Sequence, residues 1–140
     1  YAGMKVLTFG FDGDPASNPH DLDHYHSNCV AYTGTHDNDT VLGWAEKANS
    51  QSLAAAKKKL GFRELREAPQ AFIRAVLASP CELAVIPMQD ILGLGGEARM
   101  NLPGTIGNNN WRWRMRPGQL TEELAHALKA QNVQTHRAEG

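Results

Sequence analysis

Short apolar runs alternate along the chain with polar, glycine-rich stretches and with segments of helical period. Met4-Lys5-Val6-Leu7-Thr8-Phe9 is a β-prone run that stops at Gly10. Residues 10–28, rich in Gly, Pro, Asp, Asn and His, predict a loop. Cys29 to Thr33 predicts a second strand, ended by Gly34. Thr35 to Asp39 is a polar turn, and Asp39 or Thr40 can cap a helix reaching about Asn49. A second helix is expected from about Ser52 to Leu60, with Gly61 placed to stop it. A third opens with Pro69 in its first turn, carries Phe72, Ile73, Val76 and Leu77 as one apolar stripe, and ends before Pro80. Leu83-Ala84-Val85-Ile86-Pro87 is apolar without alternation, which predicts a strand covered on both faces, as in a parallel sheet. A long loop follows from about Gly93 to Gly118. The last helix should have Thr121 as its cap, Glu122 and Glu123 in its first turn, Lys129 in its last, and a stop at Asn132.

Strand, loop, strand, helices, strand, loop, helix is a βα order, and the fold class it predicts is α/β. The loops after the second and third strands hold most of the chemically able side chains. In α/β barrels those loops build the active site. The 140 residues suit one domain or part of one, and a formal net charge of −1 gives no footing for nucleic acid or an anionic membrane surface. Arg112, Arg114 and Arg116 cluster, but three charges interleaved with two Trp do not change that. No apolar run approaches the ~18 residues of a membrane span. The two cysteines, Cys29 and Cys81, sit in apolar surroundings and read as buried free thiols of a reducing compartment rather than a disulfide. The chain opens on Tyr1, close before a strand, and reads as a piece of something longer.

Four constellations could carry chemistry. Thr35-His36-Asp37-Asn38-Asp39-Thr40 directly follows a strand. Read structurally, it is a capped strand-to-helix turn. Asp39 and Thr40 could do that work alone, which leaves His36-Asp37 without a structural duty. Gly93-Leu94-Gly95-Gly96-Glu97-Ala98 matches a dinucleotide fingerprint only in letters, because Asn101, Pro103 and Gly104 break the helix that fingerprint must open. Its glycines read instead as letting a loop bend close to a ligand or a neighbouring strand. Asn101 and the block Asn108 to Arg114 combine amides and guanidinium groups with indole rings, a set suited to sugars. The structural alternative is that Trp111 and Trp113 anchor the loop to the core. His20-Asp21-Leu22-Asp23-His24-Tyr25-His26 has metal-ligating side chains but no closed zinc spacing, and a solvated loop is the reading adopted.

Three of these segments carry a resemblance. Tyr32 to Trp44 (Y-T-G-T-H-D-N-D-T-V-L-G-W), Ile86 to Thr105 (I-P-M-Q-D-I-L-G-L-G-G-E-A-R-M-N-L-P-G-T) and Asn110 to Arg114 (N-W-R-W-R) resemble the signature blocks of the 4-α-glucanotransferases, also called amylomaltases or disproportionating enzymes. The opening Gly3 to Gly13 fits as well. The resemblance implies the C-terminal portion of a (β/α)8 barrel, with the strands at Lys5, Val30 and Ala84 as the sixth, seventh and eighth, and residues 1–140 as part of one catalytic domain. It implies a retaining double displacement on α-1,4-glucans, with malto-oligosaccharides as partners and no metal or organic cofactor. Asp37 would be the carboxylate that stabilises the transition state, and His36 its neighbour at the same sugar ring. Asn101 and Trp111 would shape the sugar-binding loops.

The family's nucleophile block (R-x-D-x-F-R-G) and acid/base block (E-D-L-G) do not occur in this chain. Asp12, Glu82, Asp90 and Glu97 sit in no matching motif and take neither role. Activity is therefore expected of a longer protein that also carries the upstream strands. The runner-up reading is a non-catalytic α-glucan-binding fragment. The expected compartment is the cytoplasm, with a plastid as the alternative. A barrel of this class takes ~250 residues, so three strands alone should leave sheet edges and an apolar face open, and the isolated chain should be unstable or aggregate.

Overall fold

The computed structural model describes residues 2–107 and 109–140. Three parallel strands, β1 (Gly3–Val6), β2 (Cys29–Tyr32) and β3 (Leu83–Val85), form one sheet in that order. Met4, Val30 and Leu83 stand in one register row, and Lys5, Ala31 and Ala84 in the next. The helices are α1 (Val41–Lys47), α2 (Ser50–Leu60), α3 (Ala68–Ala78), α4 (Met88–Ile91) and α5 (Glu122–Gln134).

Local chemistry sets the helix ends. The Thr40 hydroxyl accepts the Gly43 N–H and starts α1, and the Asn49 side chain does the same for α2 through Ser52 N–H. Gly61 ends α2 at φ 73°, a left-handed conformation that a Cβ would penalise. Thr121 caps α5 as its sequence predicts, and that helix runs on to Gln134 rather than stopping at Asn132. The first strand is shorter than its apolar run, because Leu7–Phe9 winds into a 3-10 turn.

The core lies between the sheet and α1 to α3. Phe72 is fully buried, with the rings of Trp44, Phe11 and Phe62 at centroid distances of 5.3, 5.6 and 6.5 Å. Behind the strands, Cys29 and Ala31 are buried against this cluster. Cys29 and Cys81 are free buried thiols in contact with each other. Burial, together with the Cys29 thiol beside it, pushes the Cys81 thiol up from its ordinary value. Arg137 closes the far side by donating to the carbonyls of Leu77, Ser79, Cys81 and Glu82, so the tail holds the turn between α3 and β3.

Two expectations need correction. The run from Leu83 is not covered on both faces: the strand is three residues long, and Leu83 and Val85 are 60% and 45% exposed. With Met4, 57% exposed, they form an open apolar face, and no further strand among the described residues pairs beyond β1 or β3. Residues 20–26 are not simply a solvated loop either. Asp21 and Tyr25 are buried, and Asp21 accepts a 2.6 Å bond from Lys59 of α2. Among the described residues no cluster of His, Cys, Asp or Glu could hold a metal ion, and no helix is long and apolar enough to cross a membrane.

Candidate active site

The turn after β2 is closed by Asn38. Its side-chain oxygen accepts from both the backbone N–H and the hydroxyl of Thr35, each at 2.8 Å. The helix start is handled by Thr40, and Asp39 accepts the Thr40 N–H at 2.9 Å. His36 and Asp37 are thus spared any capping duty. They stand at the turn's tip with side chains 61% and 49% exposed.

The loop after β3 folds back onto this tip. Asn101 N–H donates to the His36 carbonyl at 3.1 Å, and Arg99 Nη2 donates to the Asp37 carbonyl at 2.9 Å. Asn101 Nδ2 donates to Asp37 Oδ1 at 2.7 Å, while His36 Nε2 lies 3.4 Å from Asp37 Oδ2. The Trp111 indole leans on the His36 ring, with centroids 5.3 Å apart, and remains 55% exposed. Trp111 is therefore not a core anchor. Its backbone is held at φ 63° with its N–H on the Met100 carbonyl, in the left-handed region that costs a bulky residue about 1–3 kcal/mol. All four residues singled out in the sequence, His36, Asp37, Asn101 and Trp111, thus meet at one place.

Beneath the tip lies a charged layer that sequence reasoning missed. Asp39 binds Lys47 at 2.6 Å and faces Arg99 at 4.0 Å. Two glycines make room for it. A Cβ on Gly43 would lie 2.6 Å from Asp39 Cγ, and one on Gly96 would lie 3.1 Å from Asp39 Oδ1. The glycine-rich run Gly93–Gly96 thus brings the loop's backbone close to an ion pair, in keeping with the close-approach reading. Asp90 of α4 is deeper still, at 1% exposure, and accepts from the Thr33 hydroxyl at 2.6 Å and from Val41 N–H at 2.8 Å. Burial pushes its carboxyl above the ordinary carboxylate value, the two donors pull against that, and the nearby Asp39 adds to the rise. Spacing gave no sign of Asp90, because its partners lie 49 and 57 residues away.

A cavity of about 350 Å³ runs from the open sheet face, at Met4, Tyr32 and Val85, up to His36, Asp39 and Arg99. His36 lines its upper end, and the Trp111 indole, the Asp37 carboxylate and the Asn101 amide gathered beside that imidazole form a site that can grip a hydroxylated ring. The indole offers a surface for C–H groups, and the polar atoms serve as donors and acceptors.

Residues 1–121 match the model of a protein family described as 4-alpha-glucanotransferase. The chain is 45% identical to a 4-alpha-glucanotransferase of Thermus thermophilus over 96% of its own length and 28% of that protein's. It is 40% identical to a chloroplastic/amyloplastic 4-alpha-glucanotransferase of Solanum tuberosum, over 94% of the chain and 23% of the relative. Its structure superposes on an amylomaltase from Streptococcus agalactiae, solved in complex with acarbose, with a TM-score of 0.92 at 32% identity, covering 99% of this chain and 28% of that one. An amylomaltase from Corynebacterium glutamicum shares the fold, at a TM-score of 0.64 and 18% identity, over 98% of this chain and 26% of that one. The chain belongs to the 4-α-glucanotransferase family. It spans about a quarter of the length of the relatives it matches.

Proposed function

We propose that this chain is the C-terminal part of a (β/α)8 barrel that transfers α-1,4-glucan segments between malto-oligosaccharides, and that Asp37 is its transition-state carboxylate. β1, β2 and β3 are then the sixth, seventh and eighth strands, and their open apolar face is the barrel interior. The observation that carries this reading is the meeting of Asp37, Asn101 and Trp111 around His36, which itself lines the cavity, at the C-terminal ends of the strands. That is the end of a barrel where catalysis is built.

In a retaining transfer, a carboxylate attacks the anomeric carbon as the glycosidic bond breaks and a carboxylic acid protonates the leaving oxygen. An acceptor hydroxyl then attacks the glycosyl-enzyme bond while the same residue, now a base, takes its proton. Both of those carboxylates come from upstream of this chain. Asp37 contributes at the sugar ring. An ionised carboxylate accepting ring hydroxyls tightens its bonds as positive charge develops on the ring, because the fixed dipole needs no reorganisation. The Asn101 amide holds Oδ1 in place, and His36 stands beside Oδ2 to donate to the same ring. Trp111 supplies the apolar platform. Carboxylates carry the covalent and proton chemistry, so the reaction calls for no metal or organic cofactor.

The test uses the full-length protein that contains this segment and its Asp37→Asn variant, each incubated with maltotriose, with the glucan ladder and released glucose read by chromatography. The parent should build longer glucans, and the variant should lose this by about 10²–10³-fold while remaining folded. Near-parental transfer by the variant would remove the Asp37 assignment. A parent that binds malto-oligosaccharides but makes no ladder would leave a non-catalytic glucan-binding fragment as the better account.

A further inference from the structure

We propose that Asp90 is the positioning residue of the site: one buried carboxylate on α4 grips both ends of the turn that carries His36 and Asp37. The proposal rests on the glucan-transfer reading for its catalytic consequence, but not for its geometry. Thr33 directly follows β2 and Val41 opens α1, and the two bracket the turn. Asp90 Oδ2 accepts the Thr33 hydroxyl at 2.6 Å, and Oδ1 accepts the Val41 N–H at 2.8 Å. Each oxygen therefore holds one end.

Neither a turn nor a helix cap needs this. Asn38 already closes the turn and Thr40 already caps α1. A carboxylate that is 1% exposed is costly to desolvate, and an apolar side chain would fill the same space at less expense. What the carboxylate adds is a fixed span between Thr33 and Val41, and hence a fixed height for the tip above the cavity. The same short helix also reaches the other side of the site. Gln89, itself buried, donates its amide to the Ala98 carbonyl at 3.2 Å, next to the Arg99 that holds the Asp37 carbonyl. Thus α4 is tied to both loops that meet at Asp37. Displacing a reacting group by a fraction of its contact distance is enough to slow chemistry while leaving binding intact.

The experiment uses the full-length protein and its Asp90→Ala, Asp90→Asn and Thr33→Val variants. Hydrogen exchange is read over residues 33–41, and kcat and KM for transfer from maltotriose are measured alongside. Asp90→Ala should speed exchange over residues 33–41 selectively and lower kcat by about 100-fold, with KM moving much less. Asp90→Asn should recover most of this, to within about tenfold of the parent, because its oxygen still accepts from Val41 and its amide can donate to the Thr33 hydroxyl. A folded Asp90→Ala variant with unchanged exchange over residues 33–41, or with kcat within about threefold of the parent, overturns the proposal. If Asp90→Ala does not fold, Thr33→Val decides. It removes one of the two bonds and should cost about tenfold in kcat while the protein stays folded at the assay temperature, and a parental kcat overturns the proposal. A parent without transfer activity removes the glucan-transfer reading instead, and the exchange data still decide whether Asp90 holds the turn.

Discussion

Asn101 donates its side-chain amide to the Asp37 carboxylate at 2.7 Å, across 64 residues of chain. The bond is charge-assisted, and it fixes Oδ1 while Oδ2 stands 3.4 Å from His36 Nε2. Removing it should cost rate rather than fold, since both side chains are partly exposed. We expect Asn101→Ala to lower kcat for maltotriose transfer by about 10–100-fold with little change in melting temperature. Asn101→Asp should lose more, because two carboxylates at that distance repel or share a proton. Equal losses in the two variants, measured side by side, would mean that the contact acts only by packing.

Gly43 lies inside α1, where replacing glycine by alanine ordinarily gains about 1 kcal/mol. Here the sign should reverse. A Cβ at Gly43 would lie 2.6 Å from Asp39 Cγ, and Asp39 cannot swing away without breaking its 2.6 Å pair with Lys47. Overpacking of this kind costs about 1–3 kcal/mol. Urea unfolding of Gly43→Ala in the full-length protein should show that loss. A gain would show that Asp39 has room to move.

Much of the site was legible in the sequence, because its parts are local. Thr40, Gly61 and Thr121 act at helix ends where their side chains or backbone freedom demand it, and each can be read from its position beside a periodic segment. His36 and Asp37 stood out because Asp39 and Thr40 could cap the turn alone. In the structure Thr40 caps the helix, and Asn38, which has no such duty in the sequence analysis, closes the turn. What could not be read is what depends on contacts far apart along the chain. Asp90 took no role in the sequence analysis, yet it joins residues 49 and 57 positions away. The four-residue helix around it is too short to show a period. The run at Leu83 differs for another reason, the one expected of three strands taken alone. Continuous apolarity reports burial on two sides, and one of those sides is open among the described residues.

Asp21 and Lys59 should make stability depend on pH. Burial by itself would push the Asp21 carboxyl up, but the Lys59 bond, the Asp23 N–H and the charges of Lys59 and His24 outweigh it and hold the group below its ordinary 3.8. For Lys59, desolvation works downward, and the bonds to Asp21 and Asp23 raise the ammonium above its ordinary 10.5. A depressed carboxylate contributes stability above its unfolded value and loses it as pH falls through the folded one. A raised ammonium contributes below its unfolded value and loses that as pH rises through the folded one. The pair should therefore contribute fully between about pH 5 and 9, and progressively less as acid protonates Asp21. Lys59→Met should lower unfolding free energy by about 1–3 kcal/mol across that window, and by less below pH 3. A difference between parent and variant that stays constant down to pH 2 would assign the effect to packing of the lysine stem.

Leu83 and Val85 give a prediction with opposite signs in two settings. They are 60% and 45% exposed in this chain, on the sheet face that the barrel reading turns into a core. An open apolar sheet face beside unpaired strand edges promotes association. Residues 1–140 expressed alone should therefore scatter light and bind a hydrophobic dye, and the double variant Leu83→Ser, Val85→Ser should reduce both. In the full-length protein the same side chains would be packed against neighbouring strands. There the double variant should cost about 2–5 kcal/mol, as other large-to-small core changes do, with the added burden of buried hydroxyls. Thermal unfolding of the full-length pair decides the point. An unchanged melting temperature would mean that this face stays uncovered in the whole protein, and the placement of β1 to β3 inside a closed barrel would fail, whatever the isolated chain does.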